Sequence, residues 1–178
     1  MQRFKIAESG YPYFVTESIV RWLPVFVTRE TCDIVIDSLR YCREAKGLRV
    51  HAYVIMPSHM HMTLSTDGDL SSVLRDMNRH TSKKLIEHFS HIPNPPFINV
   101  FKFCGGENRP PTEHKVWQDG SHPEQVRTEA FFRQKVDYIH ANPIRKGLVT
   151  DALAWTYSSA PLFYGAEGSP LEVDGIEW

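Results

Sequence analysis

Apolar and polar positions along the chain change period several times, and each change marks an element. Residues 11–16 are apolar and aromatic in a short run opened by Gly10; with Pro12 near its beginning, the run predicts a first strand at an edge or just entering the sheet. Over 31–45 the apolar positions Ile34, Val35, Leu39 and Cys42 recur at helical spacing, and Gly47 is a natural stop. Residues 48–56 are rich in Val, Tyr and Ile, and 62–66 resume after Pro57-Ser58. That pattern predicts an antiparallel hairpin with two histidines just past its turn. A second helix is expected over 69–89, capped by Asp67 or Asp69, with Leu70, Val73, Leu74, Met77, Leu85 and Phe89 as its buried stripe. Residues 90–122 carry PNPP and RPP among Gly, Asn and His, and read as an irregular surface insertion held by Trp117. A third helix is expected from Pro123, suited to a first turn, to Asn142, where Pro143 would end it.

Composition narrows the class. A chain of 178 residues, 42% hydrophobic and 23% charged, holds one well-buried domain, so residues 1–178 are read as a single unit with the insertion at 90–122 and an acidic tail at about 165–178. The N-terminal residues lack a signal-like apolar core and no apolar run approaches bilayer length, so a soluble, cytoplasmic protein with no membrane contact is expected. Cys32, Cys42 and Cys104 are odd in number and widely spaced, which predicts reduced structural thiols rather than a disulfide framework or zinc knuckle. The net charge of −1 is unlike that of most nucleic-acid binders. Residues 150–178, however, contain five acids and no Lys or Arg, leaving +4 on the preceding 149.

Two short segments can carry chemistry. Side chains alternate across a strand, so His59 and His61 point to one face and Met60 to the other. Neutral imidazoles brought together in this way form a two-ligand metal arm; the same spacing also suits a pair of structural histidines. On the third helix Tyr138 and Asn142 are four apart and share a face, whereas His140 points elsewhere. A phenol there is either a nucleophile or a core residue whose hydroxyl reaches water.

Together the segments resemble a known family. The stretch HAYVIMPSHMHMTLS is similar to the His-hydrophobic-His (HUH) strand of single-tyrosine insertion-sequence transposases, and VDYIHANPIRKGLV to the tyrosine helix of their REP-associated branch. GYPYFVT, KVWQ and ALAWTYSS extend the likeness over most of residues 10–164. The resemblance implies an α+β fold, a ferredoxin-like antiparallel sheet with helices packed on it. It implies a metal-dependent endonuclease and strand transferase of single-stranded DNA, working through a 5′-phosphotyrosine link on REP-like hairpins. Carried over by position, His59 and His61 are metal ligands, Tyr138 is the nucleophile, and Asn142 stands where related enzymes place a glutamine as third ligand. The ion would be Mg²⁺ or Mn²⁺, with the imidazoles favouring Mn²⁺.

Hairpin recognition requires phosphate contacts and stacking on splayed bases. Arg75, Arg79 and Lys83, four apart on the second helix, together with Lys84, Arg145 and Lys146, are candidates for the phosphates; a solvated helix face is the other reading of the first three. Trp117 either stacks a base or anchors its loop. A hairpin-binding regulator that no longer cuts, and a phosphodiesterase that uses water, stand as alternatives, and the acting unit is a monomer or a homodimer. The remaining histidines, His51, His80, His88, His91, His114 and His122, are expected to be structural or solvent-facing.

Overall fold

The computed structural model describes residues 10–178 apart from 94, 109, 122 and 177. His122, Glu177 of the acidic tail and the N-terminal residues 1–9 lie outside the described residues. Strand β1 is Tyr13–Ser18, helix α1 Arg29–Lys46, β2 Arg49–Met56, β3 His59–Ser65 and helix α2 Leu70–Ser90; α3 is Ile98–Gly106, β4 Glu124–Gln125, α4 Glu129–Arg145 and α5 Ala160–Phe163. The strands form one antiparallel sheet in the order β2-β3-β1-β4, the ferredoxin-like order, with α1 and α2 as the crossovers.

Alternation along β3 divides the molecule. Met60, Met62 and Leu64 join Tyr13 and Val15 of β1 in a large core closed by the apolar stripes of α1 and α2. On the other face Phe14, Ala52, Val54 and Met56 form a second, smaller core with Val136 and Ile139 of α4. The two crossover helices therefore cover one face and α4 the other.

Local chemistry sets the element ends. The Thr28 side chain accepts from the Thr31 amide to cap α1, and Gly47, at φ 62°, ends it in a conformation that costs glycine little. Asp69 caps α2 by accepting from the Ser71 amide. The outer edge of β2 is occupied by the chain around residue 158: the Ile55 amide donates to the Tyr157 carbonyl, and the Ser159 amide to that of Tyr53.

Several expectations need correction. The first strand begins at Tyr13, not residue 11. The hairpin turn at Pro57-Ser58 is so tight that His59 already pairs with Met56, which puts both histidines inside β3 rather than before a strand starting at 62. The 90–122 stretch is not wholly irregular. It contains α3, which buries Ile98, Phe101, Cys104 and Gly105; a Cβ on Gly105 would come within 2.6 Å of the Thr112 carbonyl oxygen. Pro123 lies outside a helical first turn, because the chain first pairs β4 with β1, and α4 starts only after the Thr128 cap. Pro143 does not end α4. It removes a single N–H near the helix end, and the last turn continues to Arg145, with the Lys146 amide donating to the Asn142 carbonyl and Gly147 following at φ 68°.

One buried carboxyl stands out in the larger core. Glu17 points from β1 toward α2, where its Oε2 accepts from the Asn78 amide nitrogen at 2.9 Å, and burial pushes its pKa up from 4.5 to about 7. The Asn78 amide oxygen beside it is buried without a partner. Because the unfolded chain releases this proton near 4.5 and the fold holds it to about 7, stability is greatest below 4.5 and falls as pH rises through that interval. The ionised form costs the fold about 3 kcal/mol. Glu17→Gln carries no such proton and places a donor near the Asn78 oxygen. Its thermal midpoint is expected to exceed that of the unsubstituted chain by several degrees at pH 8 and to match it below pH 4.5; equal midpoints at pH 8 would refute the buried-acid assignment.

Candidate active site

His59 and His61 lie on the α4 face of β3, 8% and 6% exposed, with ring centroids 4.8 Å apart. Their partners fix which nitrogen is available. His61 Nδ1 is 2.7 Å from the Thr16 hydroxyl, and His59 Nδ1 is 3.2 Å from that of Ser58. With Nδ1–H donating to those hydroxyls, each Nε2 keeps its lone pair for a ligand. Burial is the main reason that the His59 pKa falls to about 4 and that of His61 to about 3, with Lys146 adding to both and Lys135 and His59 to the second. Both rings are neutral near pH 7, as ligation requires.

The fold brings Tyr138 to this pair. Helix α4 lies on the sheet through Val136 and Ile139, and its register turns Tyr138 toward His61, with ring centroids 5.2 Å apart and edge-on. Phe14 fills the space beneath, stacked on His61 at 5.6 Å and edge-on to Tyr138 at 5.8 Å. The phenol is 36% exposed, so its ring is held while its rim faces solvent. The Arg145 guanidinium lies 5.4 Å from the Tyr138 ring centroid, and the Lys135 ammonium 4.4 Å from that of Phe14.

Asn142 is buried on the same helix. Its Nδ2 donates to the Tyr138 carbonyl at 2.8 Å, which leaves the amide oxygen for another partner. Among the described residues no three His, Cys, Asp or Glu side chains converge as a metal site.

The other candidates separate. Arg145 and Lys146 are at the site. Arg75, Arg79, Lys83 and Lys84 are on α2, across the sheet from the histidines, and so do not belong to this cleft. Arg75 and Arg79 both pair with Asp76, and Lys84 with Glu87. Trp117 is 7% exposed, packs near Phe26 and donates its indole N–H to the Thr81 hydroxyl at 3.1 Å. With its faces covered it anchors the segment after α3 and offers no surface to a base, which corrects the stacking assignment. His51 and His140 are structural, tied to Ser65 and Ser159 respectively.

Four residues at the site escaped the sequence reading: Thr16, Phe14, Lys135 and Trp22. Lys135 lies three before Tyr138, and that spacing was sufficient to find it. Thr16 and Phe14 depend on the β1–β3 register, which pairs Thr16 with His61. Trp22 sits in a loop without periodicity, and its ring meets that of His59 edge-on at 5.5 Å.

No protein-family profile matches the chain. A REP-associated tyrosine transposase of Escherichia coli strain K12 is 26% identical over 117 residues, which cover 64% of this chain and 55% of that protein. The match thus spans about half the length of the relative. A solved structure, a REP-associated tyrosine transposase bound to a REP hairpin, superposes with a TM-score of 0.68 at 19% identity, covering 100% of this chain and 95% of that one. The structural likeness carries the α+β fold, and over 117 residues the sequence is similar to that of a REP-associated tyrosine transposase.

Proposed function

We propose that this chain is a metal-dependent endonuclease and strand transferase of single-stranded DNA, acting through Tyr138 on strands that flank a REP-like hairpin. The observation that carries the reading is the contact of the Tyr138 ring with His61, one of two adjoining buried, neutral imidazoles, at a cationic rim. The relative's name and the hairpin bound in the solved structure support the choice of DNA. Among the described residues no helix is long and apolar enough to cross a membrane.

The donor set fits a divalent ion. Nε2 of His59 and of His61, with the Asn142 amide oxygen, would hold Mg²⁺ or Mn²⁺, and two imidazoles tilt the choice toward Mn²⁺. When bound, such an ion offsets the negative charge of the scissile phosphate and favours departure of its 3′ oxygen. The chain's residues do the rest. Arg145 and Lys146 draw the phosphate to the cleft, and Phe14 and His61 hold the phenol ring in place. The Tyr138 oxygen attacks phosphorus and gives up its proton. The bond to the 3′ oxygen breaks, and that oxygen takes up a proton as a free hydroxyl. A 5′-phosphotyrosine link remains. A phenol leaves more readily than an alkoxide, so a 3′-hydroxyl can reverse the step and rejoin the strand.

The α2 row of Arg75, Arg79, Lys83 and Lys84 would meet DNA only if the hairpin wrapped to the far side of the sheet. A solvated face is the better reading of it.

Single-stranded DNA incubated with the protein and Mn²⁺, then run on a denaturing gel, is expected to give a covalent adduct that Tyr138→Phe abolishes without loss of binding. Cleavage without adduct would instead assign a water-using phosphodiesterase, and binding without cleavage a hairpin-binding regulator. His61→Ala is expected to lower cleavage at least about 100-fold and to weaken Mn²⁺ uptake followed by electron paramagnetic resonance; unchanged uptake would remove His61 from the ligand set. Lys146→Ala should weaken all DNA sequences alike and reduce the slope of log affinity against log salt by about one, whereas a change in sequence preference would argue against a phosphate contact.

A further inference from the structure

The histidine pair is bounded by aromatic rings on both sides, and the mechanism above uses only one of them. Tyr138 lies against His61; Trp22 lies against His59 from the loop between β1 and α1. Trp22 is 57% exposed, unusual for the side chain with most to gain from burial.

Its backbone makes the exposure more telling. Arg21 and Trp22 stand at φ 53° and 54°, two successive residues with side chains in the left-handed region that favours glycine. The surroundings impose this conformation. Ile19 and Val20 are buried at the start of a tight turn, where the Val20 amide donates to the Val116 carbonyl and the Trp22 amide to that of Ile19. Arg21 is drawn the other way, over the Phe103 ring at 5.3 Å and into a pair with Glu107. The loop is thus held in a disfavoured shape whose effect is to keep an indole in solvent at the rim of the site. Strain of this kind persists where the surroundings over-determine it, and it clusters at functional positions.

Resting on the nuclease reading, which places a single strand across the histidines, we infer that Trp22 is a stacking platform for a nucleobase of that strand, next to the nucleotide whose phosphate meets Tyr138. Every base has a π-face, so an exposed indole grips a single strand with little regard to sequence, and paired, stacked bases cannot use it. The platform registers the strand from the side opposite the nucleophile. Trp22 supplies the surface first sought at Trp117, which the core encloses.

The test uses the full chain carrying Tyr138→Phe, with Mn²⁺, and two fluorescein-labelled probes read by anisotropy: a random-sequence 20-nucleotide single strand and a blunt 20-base-pair duplex. Adding Trp22→Ala is expected to weaken single-strand binding roughly ten-fold and leave duplex binding unchanged, and Trp22→Phe to retain most of the affinity. Trp22→Gly is expected to bind as weakly as Trp22→Ala yet melt no lower than the parent, because glycine relieves the backbone. Unchanged single-strand affinity in Trp22→Ala, equal loss on both probes, or a markedly lower melting point for Trp22→Gly would each overturn the inference, the last by showing the indole to be a structural lid. If the unsubstituted chain forms no adduct while Trp22→Ala still loses single-strand affinity selectively, the platform stands and the nuclease reading falls. Failure of the Tyr138→Phe parent to bind the single strand overturns the platform.

Discussion

The site depends on the two-residue period of one strand. In β3 the methionines and leucine are committed to the large core, so His59 and His61 must face the other way, into the layer that α4 covers. That layer is dry enough to keep both rings uncharged and crowded enough to hold a phenol against one of them. A slip of one residue in the β1–β3 or β2–β3 pairing would exchange the faces. Core packing therefore enforces register, and register enforces the geometry of the histidines; the same apolar side chains that stabilise the domain also aim its polar ones.

What the sequence made legible follows from how local the cause is. The hairpin, the stripes of α1 and α2, the Asp69 cap and the shared direction of His59 and His61 rest on spacing, and all are present in the fold. The first limit of Tyr13, the late start of α4 and the pairing of Glu124–Gln125 rest on contacts between distant segments, which no local pattern encodes. Helix α3 was hidden because glycines and flanking prolines resemble loop composition, while its buried residues Ile98, Phe101 and Gly105 pack only against the rest of the chain. Trp117 and Trp22 make the same point from opposite sides. An indole in a loop can be an anchor or an exposed surface, and only the tertiary structure distinguishes them.

The charge pattern also reads differently in three dimensions. The row of cations on α2 was the most regular basic feature of the sequence, yet it lies across the sheet from the histidines and is partly engaged by Asp76 and Glu87. The cations that do meet the site come from α4 and the residues just after it, where Lys135, Arg145 and Lys146 flank the tyrosine in no conspicuous run. A few charges placed beside a low-dielectric pocket act more strongly on a phosphate than a longer series on an open helix.

The covered margin of the sheet limits how the domain can associate. One outer strand, β2, is already bonded to the chain near residue 158, and the opposite margin is the two-residue β4. Among the described residues neither side offers a long row of free amides and carbonyls onto which a second molecule could add its own strand. A sheet with margins defended in this way resists the edge-to-edge growth that leads to fibrils.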